Sequence, residues 1–219
     1  MKINSIVSRE ERAYLAKEYA QIDFQAPALN RFLSEIHDVL QSHGVGVEDT
    51  VLDVGCGRGY LLRYLELNGF HALRGLDPCP ELIDNRLSDA VGPGAFFEAD
   101  VAEKSFDVVM TCHTLHHLPH ADPIAEVEWM RRTARKLVVI VEINNTNIPM
   151  FMISLLHRRV ETNAFRYNLG KVERLCRRAG LAVKHARNMK SAYISGDGVP
   201  YYLAARMGTK PYNIVLARP

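Results

Sequence analysis

Cysteine is scarce in this chain: Cys56, Cys79, Cys112 and Cys176 are the only four in 219 residues, and no two form a CxxC pair. That spacing excludes a disulfide-framed scaffold and a zinc ribbon, and reduced thiols in a cytoplasmic protein are the expectation. Charge of one sign is also missing. With 27 Lys and Arg against 25 Asp and Glu, the net charge is +2, too little for the basic face of a dedicated nucleic-acid binder, so no nucleic-acid partner is expected. No apolar run is long. The longest, IPMFMISLL (148–156), is about half the ~20 residues of a transmembrane helix, and the opening MKINSIVSREERAYL lacks the apolar region of a secretory signal. Internal repeats, low-complexity tracts and linkers are absent as well. What is present is ordinary globular material, 47% hydrophobic and 24% charged. The length suits one domain of roughly 170 residues plus an extension.

Residues 1–45 read as two helices forming an N-terminal extension or lid, followed by a second unit over 46–219. Ser8 and Glu11 have capping-box spacing. Pro27 suits a first helical turn, and Leu29, Phe32, Leu33, Ile36 and Leu40 follow helical spacing until Gly44. From residue 50 strands and helices alternate. TVLDVG, ALRGLDP, AFFEADV (95–101), FDVVMTC, KLVVIVEI, LAVKHARN and YNIVLARP read as strands. RGYLLRYLELNGF, PELIDNRLSDAVG (80–92), PIAEVEWMRRTAR and LGKVERLCRRAG read as the helices between them. Such alternation predicts an α/β fold, a doubly wound sheet covered on both faces.

The stretch VLDVGCGRG (51–59) poses the functional question. In doubly wound sheets ligands bind beyond the carboxyl ends of the strands. Gly55, Gly57 and Gly59 let the backbone turn tightly there and approach a ligand. The spacing is G-x-G-x-G, not the G-x-G-x-x-G of a dinucleotide site. Asp53 precedes it, and a carboxylate beside a helix N-terminus would repel pyrophosphate yet attract an ammonium. S-adenosylmethionine carries an ammonium and a sulfonium. Asp77 ends the next strand, 18 residues past Gly59, where an acid can accept from both hydroxyls of a ribose.

Together, VLDVGCGRG, GLDP, FFEADV and FDVVMTCHTLHHL resemble the class I S-adenosylmethionine-dependent methyltransferases. The likeness covers about residues 47–145 and is strongest to the small-molecule branch that includes the quinone-biosynthesis enzymes. It implies a Rossmann-like seven-stranded sheet whose last strand, YNIVLARP, inserts antiparallel. It also implies roles. Asp53 and the backbone at Gly55, Cys56 and Gly57 would hold the methionine moiety, with Gly59 completing the loop. Asp77 would take the ribose hydroxyls and Pro78 would pack near the adenine. Asp100 would accept from the adenine amino group beside the Val101 amide, and the backbone around Cys112 would line the methionine end. The product would be S-adenosylhomocysteine. Cys56 reads as a small loop residue, not a nucleophile.

The string CHTLHHLPH holds His113, His116, His117 and His120. Helical i, i+4 spacing invites a metal, but Pro119 interrupts such a helix and no Cys or Glu nearby completes a ligand set. No metal requirement is expected. In relatives the second histidine of such strings lies near the acceptor, so His117 is the candidate to meet the substrate and take its proton. The alternative is that His117 only hydrogen-bonds its loop. Thr111, Cys112 and His113 differ from the N/D-P-P-Y string of amino-directed nucleic-acid enzymes, and they lack the acid of magnesium-dependent catechol enzymes.

The insertion at 146–168 carries Met150, Phe151, Met152, Leu155 and Leu156. It reads as an apolar wall for a greasy acceptor with Arg158 and Arg159 at its mouth, as a membrane-surface patch over 148–159, or as plain packing. Tyr14, Tyr19, Phe24, Tyr193, Tyr201 and Tyr202 are candidates to close over the pocket. The leading expectation is methyl transfer to oxygen, nitrogen or carbon of a small organic acceptor. The rivals are a non-catalytic subunit retaining the cofactor pocket and a nicotinamide-dependent oxidoreductase. Acceptor identity and oligomeric state are not written in the sequence.

Overall fold

The computed structural model describes residues 13, 17, 23–83, 88–94, 96–97, 101–118, 123–156, 163–191 and 210–219, without the side chain of Ile153. Its centre is one seven-stranded sheet in the order β3-β2-β1-β4-β5-β7-β6. The strands are β1 (Val51–Val54), β2 (Leu73–Asp77), β3 (Val91–Pro93), β4 (Phe106–Cys112), β5 (Ala134–Ile143), β6 (Ala182–Asn188) and β7 (Tyr212–Arg218). Strands β1 to β5 pair in parallel. The last strand, β7, inserts antiparallel between β5 and β6, as the sequence led us to expect.

Among the described residues the α-helices flanking the sheet are α1 (Pro27–Ser42), α2 (Tyr60–Leu67), α3 (Ile124–Thr133), α4 (Ile148–Leu156) and α5 (Leu169–Arg178). Strand alternation sorts the core into two layers. Val139 and Val141 of β5 pack with Leu29, Phe32 and Ile36 of α1 and with Leu61 and Leu65 of α2. Val138 and Ile140 pack on the other face with Val127 and Met130 of α3 and Val172 and Leu175 of α5. Full burial of each such side chain contributes roughly 1.5–3 kcal/mol, which makes β5 the spine of the molecule. Helix α1 opens with Pro27 in its first turn, and its predicted apolar series is buried throughout. Ala13 and Lys17 have helical backbone; Ser8 and Glu11 lie outside the described residues.

Two predicted elements are corrected. Among the described residues of the helix expected over 80–92, Pro80–Leu82 form a 3-10 turn, and Val91 and Gly92 belong to edge strand β3. The strand expected over 95–101 is displaced to that position, since the described residues 96, 97 and 101 are not in a strand. Pairing explains the shift. Val91 is buried against Gly75 of β2, whereas Phe96 buries itself edge-on against Trp129 without any ladder. A three-residue edge ending in proline offers little to a further strand.

Candidate functional site

Strand order reverses between β1 and β4. The chain runs outward from β1 through β2 to β3, then restarts on the other side of β1. Crevices open at the carboxyl ends of strands at such a switch point, and the glycine loop occupies this one. Its backbone is anchored on β2, where Leu76 carbonyl accepts from the Gly55 amide (2.7 Å) and the Cys56 amide (3.2 Å). Gly55 and Gly59 have φ of +76° and +79°. A Cβ on Gly55 would sit 2.2 Å from Thr114 Cγ2, and one on Gly59 2.5 Å from Val91 Cγ2. The loop therefore tolerates only glycine at both places.

Beneath it lie two acids. Asp53 is 2% exposed and Asp77 4%. Asp77 is held by the loop: Oδ2 accepts from the Gly57 amide and Oδ1 from the Cys79 amide, each at 2.8 Å. The Cys79 side chain also hydrogen-bonds this carboxylate. Burial raises the Asp77 carboxyl above the ordinary range, opposed by those two amides and by His117. Asp53 differs, because its Oδ1 is buried with no hydrogen-bond partner among the described residues. Burial, reinforced by the charge of Asp77, pushes Asp53 up to about 7. An unpartnered carboxylate in an apolar setting costs stability unless a ligand completes it. Burial also pushes the Cys56 and Cys112 thiols well up, with Asp53 adding to both. Neither is a thiolate nucleophile.

The turn after β4 forms the opposite wall. His113 has φ +55°, a strained setting for a residue with a Cβ. Its ring packs 4.3 Å from Tyr212 and 5.6 Å from Phe32, centroid to centroid. Thr114 Oγ1 donates to Gly55 carbonyl at 3.1 Å, tying this wall to the glycine loop. Leu115–His117 then makes one 3-10 turn. His116 is 2% exposed and locked on Glu142, with Nδ1 2.8 Å from Oε2. His117 is half-buried and close enough to Asp77 to influence its ionisation.

Sequence reasoning thus placed Asp53, Gly55, Cys56, Gly57, Gly59, Asp77, Cys112 and His117 at one end of the sheet, and the structure brings them together. Pro78 is half-buried just past β2, and Val101 is buried against the α3 side of the sheet. Asp100, His120, Arg158 and Arg159, with Tyr14, Tyr19, Tyr193, Tyr201 and Tyr202, lie outside the described residues. The partner of the histidine string, Glu142, was missed because it reads as the polar tail of an apolar strand. The available signal was a single acid inside VVIVEI, a run that otherwise tolerates no charge. Among the described residues, no three His, Cys, Asp or Glu side chains gather as a metal site would require.

The 146–168 insertion contributes α4 and a 3-10 turn at Ala164–Arg166. Helix α4 turns part of its apolar surface outward. Ile148, Phe151, Met152 and Leu156 are 76%, 38%, 47% and 69% exposed, while Met150 and Ser154 face inward. No described helix is long and apolar enough to cross a membrane.

Known proteins complete the picture. Among solved structures, the chain superposes on one in the complex of the Haloferax volcanii Trm112 methyltransferase activator with a protein designated a methyltransferase. That match has a TM-score of 0.73 at 18% identity, covering 97% of this chain and 98% of that one. It also superposes on the Synechocystis magnesium protoporphyrin IX methyltransferase with bound S-adenosylhomocysteine (0.62, 14%, 88% and 84%). A third match is the Streptomyces coelicolor geranyl diphosphate C-methyltransferase with Mg2+, geranyl diphosphate and S-adenosylhomocysteine (0.61, 14%, 97% and 99%). Identities this low speak for the fold. No curated protein matches the sequence. A family model described as a methyltransferase domain matches residues 13–186. A match over that span makes the chain a member of the methyltransferase-domain family, of the class I S-adenosylmethionine-dependent kind.

Proposed function

We propose that the protein binds S-adenosylmethionine at the carboxyl ends of β1, β2 and β4 and transfers its methyl group to a small organic acceptor, releasing S-adenosylhomocysteine. The observation that carries this reading is the unpartnered Oδ1 of buried Asp53 beneath a loop that only glycine can build. The cofactor's ammonium is the kind of group that would complete Asp53. Asp77 at the end of β2 would accept from the ribose hydroxyls, with Pro78 beside the adenine. Asp100 and the Val101 amide would take the adenine edge, and the Cys112 backbone the methionine end. When bound, the cofactor supplies a methyl carbon already activated by cationic sulfur, so the protein's task is alignment and, where the acceptor needs it, removal of a proton. His117 would perform that last task.

The outward apolar face of α4 supports an apolar acceptor approaching over the carboxyl end of β5. The same face favours, as a second reading, contact with a membrane surface over 148–159. The Haloferax complex adds a protein activator as a further class of partner for this fold. Family membership gives the nicotinamide-dependent alternative no support. A non-catalytic cofactor-binding subunit is distinguished by turnover. The test is titration calorimetry with S-adenosylmethionine and S-adenosylhomocysteine, followed by incubation of a metabolite extract with labelled methyl donor. Micromolar or tighter binding and a labelled product are expected. Absence of binding to both compounds overturns the reading, and binding without any labelled product favours the subunit.

A further inference from the structure

Glu142 is fully buried within the otherwise apolar run Leu137–Ile143 of β5. A charge there is expensive, and a well-packed apolar residue would commonly serve stability as well or better. Its four contacts show what it holds. Oε1 accepts from the Leu115 amide (2.8 Å) and the His116 amide (3.4 Å). Oε2 accepts from the Ile143 amide (3.1 Å) and lies 2.8 Å from His116 Nδ1. Burial acts to raise this carboxyl, yet the His116 charge and these hydrogen bonds, with a contribution from His113, bring it below the ordinary range. The acid is therefore ionised and satisfied.

All but one of these contacts go to the turn that follows β4. That turn is gripped from the insertion as well: Tyr167 Oη donates to Leu115 carbonyl (3.2 Å), and Asn163 Nδ2 donates to Leu118 carbonyl (2.8 Å). On its near side Thr114 donates to Gly55 of the cofactor loop. On its far side stands His117. The turn thus hangs between the glycine loop and the β5 terminus, with Glu142 as its central fastening.

We infer that Glu142 and His116 form a positioning pair, which holds the Thr114–Leu118 turn against the glycine loop and sets the orientation of His117. The two adjacent histidines then divide their labour, His116 as anchor and His117 as the group facing the site. This rests on the methyl-transfer reading, and it adds residues that never touch cofactor or acceptor.

The test uses the full chain with S-adenosylhomocysteine as the probe. Calorimetric affinity and the ring resonances of His117 are read in wild type, Glu142→Ala, Glu142→Gln and Tyr167→Phe, with melting temperature as a fold control. Glu142→Ala is expected to weaken binding at least about tenfold and to shift the His117 resonances. Glu142→Gln keeps an acceptor for the Leu115 amide and should recover most of the affinity. Tyr167→Phe, which removes one hydroxyl from the same turn, should move both readouts in the same direction by a few-fold, and it decides the matter if Glu142→Ala does not fold. Folded variants with wild-type affinity and unmoved His117 resonances overturn the inference. A wild-type protein that does not bind the probe overturns the methyl-transfer reading itself, which is a different failure.

Discussion

Two aspartates at opposite ends of the sheet, Asp107 and Asp53, are treated in opposite ways. At the amino ends of β4 and β5, Asp107 is met by Arg135 (Nη2 2.9 Å, Nε 3.1 Å) and by the Thr50 amide and hydroxyl. Lys136 joins it, 3.5 Å from Asp107 and bonded to Asp49. The Arg135 hydrogen bond, above all, holds the Asp107 carboxyl well below its usual range. At the carboxyl ends, Asp53 meets no cation among the described residues and has one unmatched oxygen there, and it is driven upward. The same residue type on neighbouring strands is thus a structural fastening at one pole and an unfinished site at the other. The difference lies in water and partners: Asp107 lies nearer water and is paired with cations, while Asp53 is enclosed with one oxygen unmatched among the described residues.

The harshest way to break this contrast is Gly55→Ala. It places a Cβ inside Thr114 at a positive φ, and a loss of about 2–4 kcal/mol in denaturant unfolding is expected, together with cofactor affinity. Asp53→Asn comes next and sharpens the comparison by moving two readouts apart. Removing a charge-assisted hydrogen bond should cost about 1.5–3 kcal/mol of S-adenosylmethionine affinity by calorimetry, or roughly 10–150-fold. The ligand-free protein should nevertheless melt higher, because an uncompensated buried charge has gone.

The pH dependence has opposite signs at the two poles. Asp53, raised from 3.8 to about 7 in the fold, favours the protonated folded state. Its contribution is complete in acid and is lost as pH rises from about 4 through 7. Asp107, held low, contributes above pH about 4 and loses that contribution as pH falls below it. Urea titrations of wild type and Asp53→Asn between pH 4 and 8 should differ in slope across that window. Cofactor binding that ionises Asp53 should release about half a proton at pH 7, read from calorimetry in buffers of different ionisation enthalpy.

Arg135→Ala at the Asp107 pole is a smaller perturbation. Arg135 is 42% exposed, so a cost under about 1 kcal/mol that shrinks in salt is expected, with cofactor affinity intact. Smallest is the double change Phe151→Ser, Met152→Ser on α4. Stability should stay within about 0.5 kcal/mol, while the Michaelis constant for an apolar acceptor rises; an unchanged constant removes α4 from the acceptor path.

Much of this architecture was legible beforehand. Strands β1, β2, β4, β5, β6 and β7 match their predicted stretches closely, since runs such as KLVVIVEI and FDVVMTC carry strand chemistry and sit between helical periods. The edge strand was misplaced because AFFEADV carries strand-forming residues, yet its described residues 96, 97 and 101 lie outside any strand, whereas Val91 pairs with Gly75. The surroundings of Asp53 and Asp77 were legible through spacing alone, because a loop that follows a strand stays beside that strand's end. Glu142 was not: its partners lie 26 and 27 residues away along the chain, and only the register of β4 beside β5 brings them into reach.

The sequence by itself determined the alternation of strand and helix, the glycine turn, and the acids at the carboxyl ends of β1 (Asp53, next to last) and β2 (Asp77, last), because these depend on local period and short spacing. Tertiary structure alone decided which carboxylate oxygen is left unmatched, which histidine is buried, and that the acid of β5 grips the turn beyond β4. Those outcomes depend on strand order and burial, and desolvation acts on a group only once distant segments have closed around it.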